Sequence, residues 1–146
     1  MKSENNIPDR QAKIKAHLER DALAASLGAT IEAVEPGYSR VSLIVTQTMT
    51  NFHGTTHGGI IFSLGDIAFA AAGNSIGQVC VALNVSINFI KASQVGDHLV
   101  AEAREQHIGG RTGVYDITIT ERNSGALIAK SQHVLYRTKQ WFVPPE

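Results

Sequence analysis

Two features in one stretch of this chain have the makings of a reaction centre. Asn51-Phe52-His53-Gly54-Thr55-Thr56-His57-Gly58-Gly59 is a glycine-rich loop, and the apolar run that follows it holds one carboxylate, Asp66. The pattern predicts a helix from about Gly58 to Ala72, ended by Gly73-Asn74 and Gly77. The first amides of a helix have no partner inside it and point outward. That end also favours negative charge. Glycines there let a ligand come close to the backbone. An amide at this point can hold a carbonyl oxygen as it becomes an oxyanion, a contact worth roughly 3–4 kcal/mol in a transition state. Taken alone, the glycines fit an ordinary turn at least as well.

Asp66 shifts that balance. It is flanked by Phe62, Ser63, Leu64, Gly65, Ile67, Ala68, Phe69 and Ala70. Asp is a poor residue for a helix interior and is costly to bury without partners. Burial would raise its pKa and make it a stronger base. A structural Asp bonded to backbone or to Ser63 is the plain alternative. An oxyanion donor and a base are the two halves of an acyl-transfer site. Gly58 and Asp66 are separated by a helical rise of about 12 Å. One carbonyl cannot touch both within one chain. If both serve one site, they come from different chains, and two antiparallel helices across a two-fold axis would pair them in a dimer.

The elements that must position this centre read as follows. Ile14, Leu18 and Ala22, with Leu23, Ala25 and Leu27, space like one helix face, with Asp9 as cap and Gly28 as stop. Residues 1–8 are expected to be flexible. Strands are expected from Ile31 and over Tyr38–Thr46, joined at Glu35-Pro36-Gly37. After the long helix come four more: Val79–Phe89, Asp97–His107, Thr112–Glu121 and Leu127–Thr138. An all-round apolar helix needs cover on most sides. The six-stranded antiparallel sheet is the element able to supply it, which gives an α+β hotdog fold: a curved sheet around one central helix, with an N-terminal helix. Pairing open sheet edges in a homodimer would remove two of them.

The whole chain sets bounds. Its 146 residues predict a single domain spanning 1–146. Lys plus Arg and Asp plus Glu number 13 each, which leaves no electrostatic footprint for nucleic acid. The longest apolar segment is too short to span a bilayer. The N-terminus is polar with no signal-peptide core, and the single Cys80 reads as a small buried hydrophobe in a reducing compartment. A cytoplasmic protein is expected, with no membrane partner.

The run Asn51, Gly54, His57, Gly58, Gly59, Leu64 and Asp66 resembles the hotdog acyl-CoA thioesterases of the phenylacetic-acid-degradation (PaaI-like) type. The likeness extends through Val34-Glu35-Pro36-Gly37-Tyr38, through Ala68 to Asn74, and through Gly113-Val114-Tyr115-Asp116-Ile117, over about residues 20 to 138. It implies thioester hydrolysis with Asp66 as general base or nucleophile. The Gly58 amide of the other chain would polarise the carbonyl, Asn51 would orient water or substrate, and His57 would position the thioester or the loop. No metal is implied and no cofactor, coenzyme A being part of the substrate. Gly59 and Phe62 are candidate substrate contacts, Phe62 as a wall of the acyl pocket with Ile61, Phe69 and Met49. Lys91, Gly110, Arg111 and Thr112, with Arg137 and Lys139, are candidates for the coenzyme A arm. Hydroxylated aryl-acetyl or similar acyl groups are the implied substrates, and a homodimer, assembled as a homotetramer, the implied state. Related enzymes often place a Ser or Thr on the third strand beside the carboxylate. Here that position falls near Ala82, and the nearest polar residues are Asn84 and Ser86. Two other readings remain: a hotdog hydratase or dehydratase, although the pattern D-x-N-P-x-H is absent, and a non-catalytic acyl-CoA-binding protein.

Overall fold

The computed structural model describes residues 6–146. Residues 1–5 of the expected flexible end lie outside the described residues, and Asn6 already belongs to α1 (Asn6–Leu18). The expected single N-terminal helix is two. Asp9 does not cap it but pairs with Lys13 one turn on, at 3.1 Å. The break falls before Asp21, whose carboxylate accepts the Ala24 N–H at 3.0 Å and starts α2 (Ala22–Leu27). An Asp side chain that bonds nearby backbone favours a cap over a helix interior. Gly28, at φ 66°, ends α2 as expected.

Six strands follow in the expected order. They are β1 (Thr30–Glu35), β2 (Tyr38–Ile44), β3 (Gln78–Phe89), β4 (His98–Ile108), β5 (Thr112–Glu121) and β6 (Leu127–Trp141). All neighbouring pairs are antiparallel, and the sheet order is β1-β2-β4-β5-β6-β3. The long helix, α3 (Gly58–Gly73), carries the chain from β2 to β3 at the far edge. One side of α3 is buried: Ile61, Leu64, Ile67, Ala68, Phe69 and Ala72 join a core with Val41, Leu43, Leu99, Ile117, Ile119 and Leu135. This is the expected hotdog arrangement.

Two details differ from expectation in ways that matter for the site. The sheet covers only part of α3. Gly59, Phe62 and Asp66, at helical spacing, form a stripe that is open in the single chain, with Ser63 beside them half-buried. In addition, β3 shifts register between Ala82 and Asn84. A side chain at Gly58 would meet the Phe89 ring at 3.3 Å, so Phe89 faces α3. Strand alternation then turns Val85 and Ile87 toward the helix and Asn84 and Ser86 away from it. Upstream of the shift the alternation changes phase, and Cys80 is the buried residue.

Candidate active site

Asp66 is not a fully buried acid: its side chain is 48% exposed in the single chain. Nor does Ser63 hold it, because that hydroxyl donates back to the Gly59 carbonyl at 2.7 Å. The neighbour of Asp66 is His133, on β6. His133 Nε2 stands 3.4 Å from Asp66 Oδ1. The imidazole is 1% exposed, and its Nε2 is buried with no closer hydrogen-bond partner. Phe69 stacks on the ring with centroids 4.5 Å apart, and Ser131 Oγ lies 3.5 Å from Nδ1. The ring is thus held from one face and one edge, with Nε2 turned to the carboxylate. The polar companion expected from the third strand comes from the sixth instead.

The sequence carried a signal for His133 that its reading did not use. Lys130 and Gln132 are exposed, while Ala129, Ser131, His133 and Leu135 are buried. The alternation of β6 therefore turns a histidine inward, between apolar neighbours. Sheet order then brings that strand beside the helix.

The loop supplies the other half. His57 is the N-cap of α3, with φ −60° and ψ 135°, and its Nδ1 accepts the Gly59 N–H at 2.9 Å. The Gly59 amide is therefore occupied. The Gly58 N–H makes no hydrogen bond to a described residue and is the donor left at the helix start. Asn51 is committed to its own loop: its side-chain Oδ1 accepts the N–H groups of His53 at 3.0 Å and Thr55 at 3.2 Å. No hydrogen bond joins Asn51 to Asp66 within the chain. Of the predicted acyl walls, Ile61, Phe69 and Met49 are core residues, and Phe62 stands at the surface, its ring centroid 6.5 Å from that of His133.

The residues predicted for the coenzyme A arm are spread over two places. Lys91 lines a hollow that also holds Asp97 and Glu121. Gly110 and Arg111 line another with Arg137 and Lys139. Thr112 opens β5, its carbonyl accepting the Gly109 N–H at 2.7 Å. Cys80 is buried, and burial pushes its thiol pKa up against the pull of Arg137. No group of three or more metal-ligating side chains gathers among the described residues. No helix among them is long and apolar enough to cross a membrane.

The thioesterase superfamily pattern matches residues 53–127, from His53 in the loop through α3, β3, β4 and β5 to the first residue of β6. The acyl-coenzyme A thioesterase PaaI of Escherichia coli is 44% identical over 107 residues, covering 73% of this chain and 76% of that protein. The chain belongs to the thioesterase superfamily. Within this superfamily it is of the PaaI-like hotdog type, and it is a thioester hydrolase. The solved structure of the E. coli PaaI protein, from the phenylacetic acid degradation operon, superposes with a TM-score of 0.86 at 36% identity, over 91% of this chain and 96% of that one. A Streptococcus mutans protein solved with acetyl-CoA bound superposes at 0.72 and 32% identity, over 75% and 88% of the two chains. This thioesterase thus shares its overall fold with proteins of known structure.

Proposed function

We propose that this thioesterase hydrolyses acyl-CoA esters at a site built from two subunits, with Asp66 of one chain facing the Gly58 amide of the other. The observation that carries this is the pairing of Asp66 with a buried His133 on the open stripe of α3. The Gly58 donor sits at the far end of the same helix, about 12 Å away by helical rise. In the hydrolytic step a water oxygen attacks the thioester carbonyl carbon while Asp66 takes its proton. The Gly58 N–H donates to the carbonyl oxygen as it gains charge. The tetrahedral intermediate collapses, the C–S bond breaks, and coenzyme A leaves as a thiolate that needs little help from an acid. If Asp66 attacks directly, an anhydride forms and water cleaves it. Single turnover in heavy-oxygen water separates the two courses, since only the second can label the Asp66 carboxylate.

A second copy of the chain is the partner that completes the site. The two sheet edges differ. β1 is six residues long with a register shift at its centre and Glu32 beside Arg40. β3 is twelve residues long, carries no charged side chain, and exposes Val81, Leu83 and Phe89. A long apolar edge invites strand pairing, and it lies beside the open stripe of α3. Pairing β3 with β3 would cover both. Homotetramer assembly and a cytoplasmic setting, in keeping with the reduced buried Cys80, belong to the same reading. The relationship to PaaI favours aryl-acetyl or similar acyl groups.

The test is thiol release across aryl, short-chain and long-chain CoA esters. Wild type is expected to favour one class, and Asp66→Asn to lose roughly 100- to 10,000-fold in kcat with an unchanged fold. Equal release by wild type and Asp66→Asn would overturn the assignment.

A further inference from the structure

Among the described residues, every buried serine or threonine hydroxyl but one has a hydrogen bond of 2.9 Å or less. Ser39, Ser42, Thr56, Ser75 and Ser93 all do. Ser131 is the exception. Its buried Oγ has a single hydrogen-bond partner, His133 Nδ1, at 3.5 Å. The two residues are next but one on β6 and share its inner face. The helix closes over them: a Cβ at Gly65, the residue before Asp66, would stand 3.8 Å from Ser131 Oγ. Phe69 covers one face of the imidazole. Tyr115, the cross-strand neighbour of His133, sends its hydroxyl to Glu105 at 3.2 Å. A hydroxyl, an imidazole and a carboxylate thus form a series, with contacts of 3.5 Å and 3.4 Å, inside an otherwise apolar setting.

The series has two possible proton arrangements. A neutral imidazole carries one N–H and one bare nitrogen, and the bond made by one nitrogen sets the state of the other. If Nδ1–H donates to Ser131 Oγ, the bare Nε2 lone pair faces Asp66 Oδ1. That suits only a protonated Asp66. If the Ser131 hydroxyl donates to Nδ1, Nε2 carries the proton and donates to Asp66. That suits the carboxylate, and it also suits the acid formed once Oδ2 has taken a proton. Asp66 Oδ2 has no hydrogen-bond partner among the described residues, so it is the oxygen left for water.

We propose that Ser131 is a positioning residue of this thioesterase: its hydroxyl donates to His133 Nδ1, fixes the Nε2–H form of the ring, and so aims one N–H at Asp66 Oδ1 while Oδ2 faces the substrate. The hydroxyl touches no reacting atom and acts through the imidazole. This rests on the reading of Asp66 as the base.

The test joins spectroscopy to kinetics on the whole protein. Nitrogen NMR of histidine-labelled enzyme reads which ring nitrogen holds the proton, and His133→Gln identifies the signal by its loss. The expected result is a neutral His133 with its proton on Nε2. In Ser131→Ala the Nδ1 resonance should move toward that of a nitrogen with no donor. Its kcat should fall about three- to tenfold with KM little changed, as one lost hydrogen bond requires. In the His133→Gln background Ser131→Ala should cost nothing further, since the hydroxyl then has no ring to act on. A proton on Nδ1, alone or in a charged ring, would overturn the proposal. So would an unchanged kcat in Ser131→Ala, or an equal loss in both backgrounds, which marks a merely structural serine. Full thiol release by Asp66→Asn would instead sink the base reading, whatever the state of the ring.

Discussion

Asp66, the proposed base, stands on an open helix face, where a carboxylate acts in one direction only if something fixes its orientation, and the group beside it is His133. The imidazole is stacked on Phe69 and backed by Ser131, so its Nε2 has one direction to point. Its 3.4 Å approach to Asp66 is long for a hydrogen bond, but catalytic contacts often tighten only when substrate binds. A hydrogen bond to a charged group contributes about 1.5–3 kcal/mol, so His133→Gln should lower kcat roughly ten- to a hundredfold. Stopped-flow thiol release would read this, with a shifted pH–rate profile marking a positioning role over a merely structural one. Deleting the Gly58 donor asks the exposed Phe89 ring, 3.3 Å from an added Cβ, to give way by a few tenths of an ångström. Position 58 is the first residue of α3, where proline is tolerated, and His57 at ψ 135° already has the backbone that precedes a proline. Gly58→Pro should keep the fold, checked by circular dichroism, and lose roughly 100- to 1,000-fold in kcat. Gly58 and Asp66 could be proposed together from sequence because loop, helix start and acid lie in one local run. His133 could not be paired with Asp66 in the same way, because the contact depends on which strand the sheet sets beside α3.

At the scale of elements, the end of α3 shows how the sheet and termini are tied. Gly77 adopts φ 87°, and its carbonyl accepts the Phe142 N–H at 2.9 Å. A side chain there would strike the Val143 carbonyl oxygen. Arg10 of α1 donates to the Ile76 and Val143 carbonyls, at 2.6 and 2.9 Å. Gly77→Ala should therefore destabilise the protein by about 2 kcal/mol or more, the left-handed backbone alone costing about 1–2. Urea unfolding would measure it. Glu32 ties β1 to β2 and to the β5–β6 turn through Arg122, Ser42 and Arg40. The Arg122 hydrogen bond is the chief cause holding its carboxyl down, from 4.5 to about 2. A carboxyl lowered on folding adds stability that is complete above its unfolded pKa and is lost as pH falls through the folded one. Between pH 4.5 and about 2 the wild type should thus lose more stability than Glu32→Gln, read as Tm against pH. The succession of strands along the chain and the long apolar helix between the second and third were visible in the hydrophobic alternation, whereas their order in the sheet was not. Nor was the β3 register shift, since one extra residue leaves the pattern of types almost unchanged while reversing which face each side chain takes. That reversal is why Asn84 and Ser86, the polar residues nearest Ala82, point away from the helix.

At the scale of the molecule, the charged, register-shifted β1 edge and the long uncharged β3 edge leave one side of the sheet suited to pairing. The same side bears the open stripe of α3. In the proposed two-subunit site, dimer formation and completion of the active site are one event. The most direct test mixes two inactive variants. In an Asp66→Asn/Gly58→Pro heterodimer, one site keeps both an intact Asp66 and an intact Gly58 amide, and the other site keeps neither. Random reassortment makes half of the dimers mixed, so the account predicts that mixing the unfolded chains and refolding them restores about a quarter of wild-type thiol release. If the mixture stays as inactive as its two parents while mass measurement shows mixed dimers, the base and the oxyanion donor do not come from different subunits, and the account is wrong.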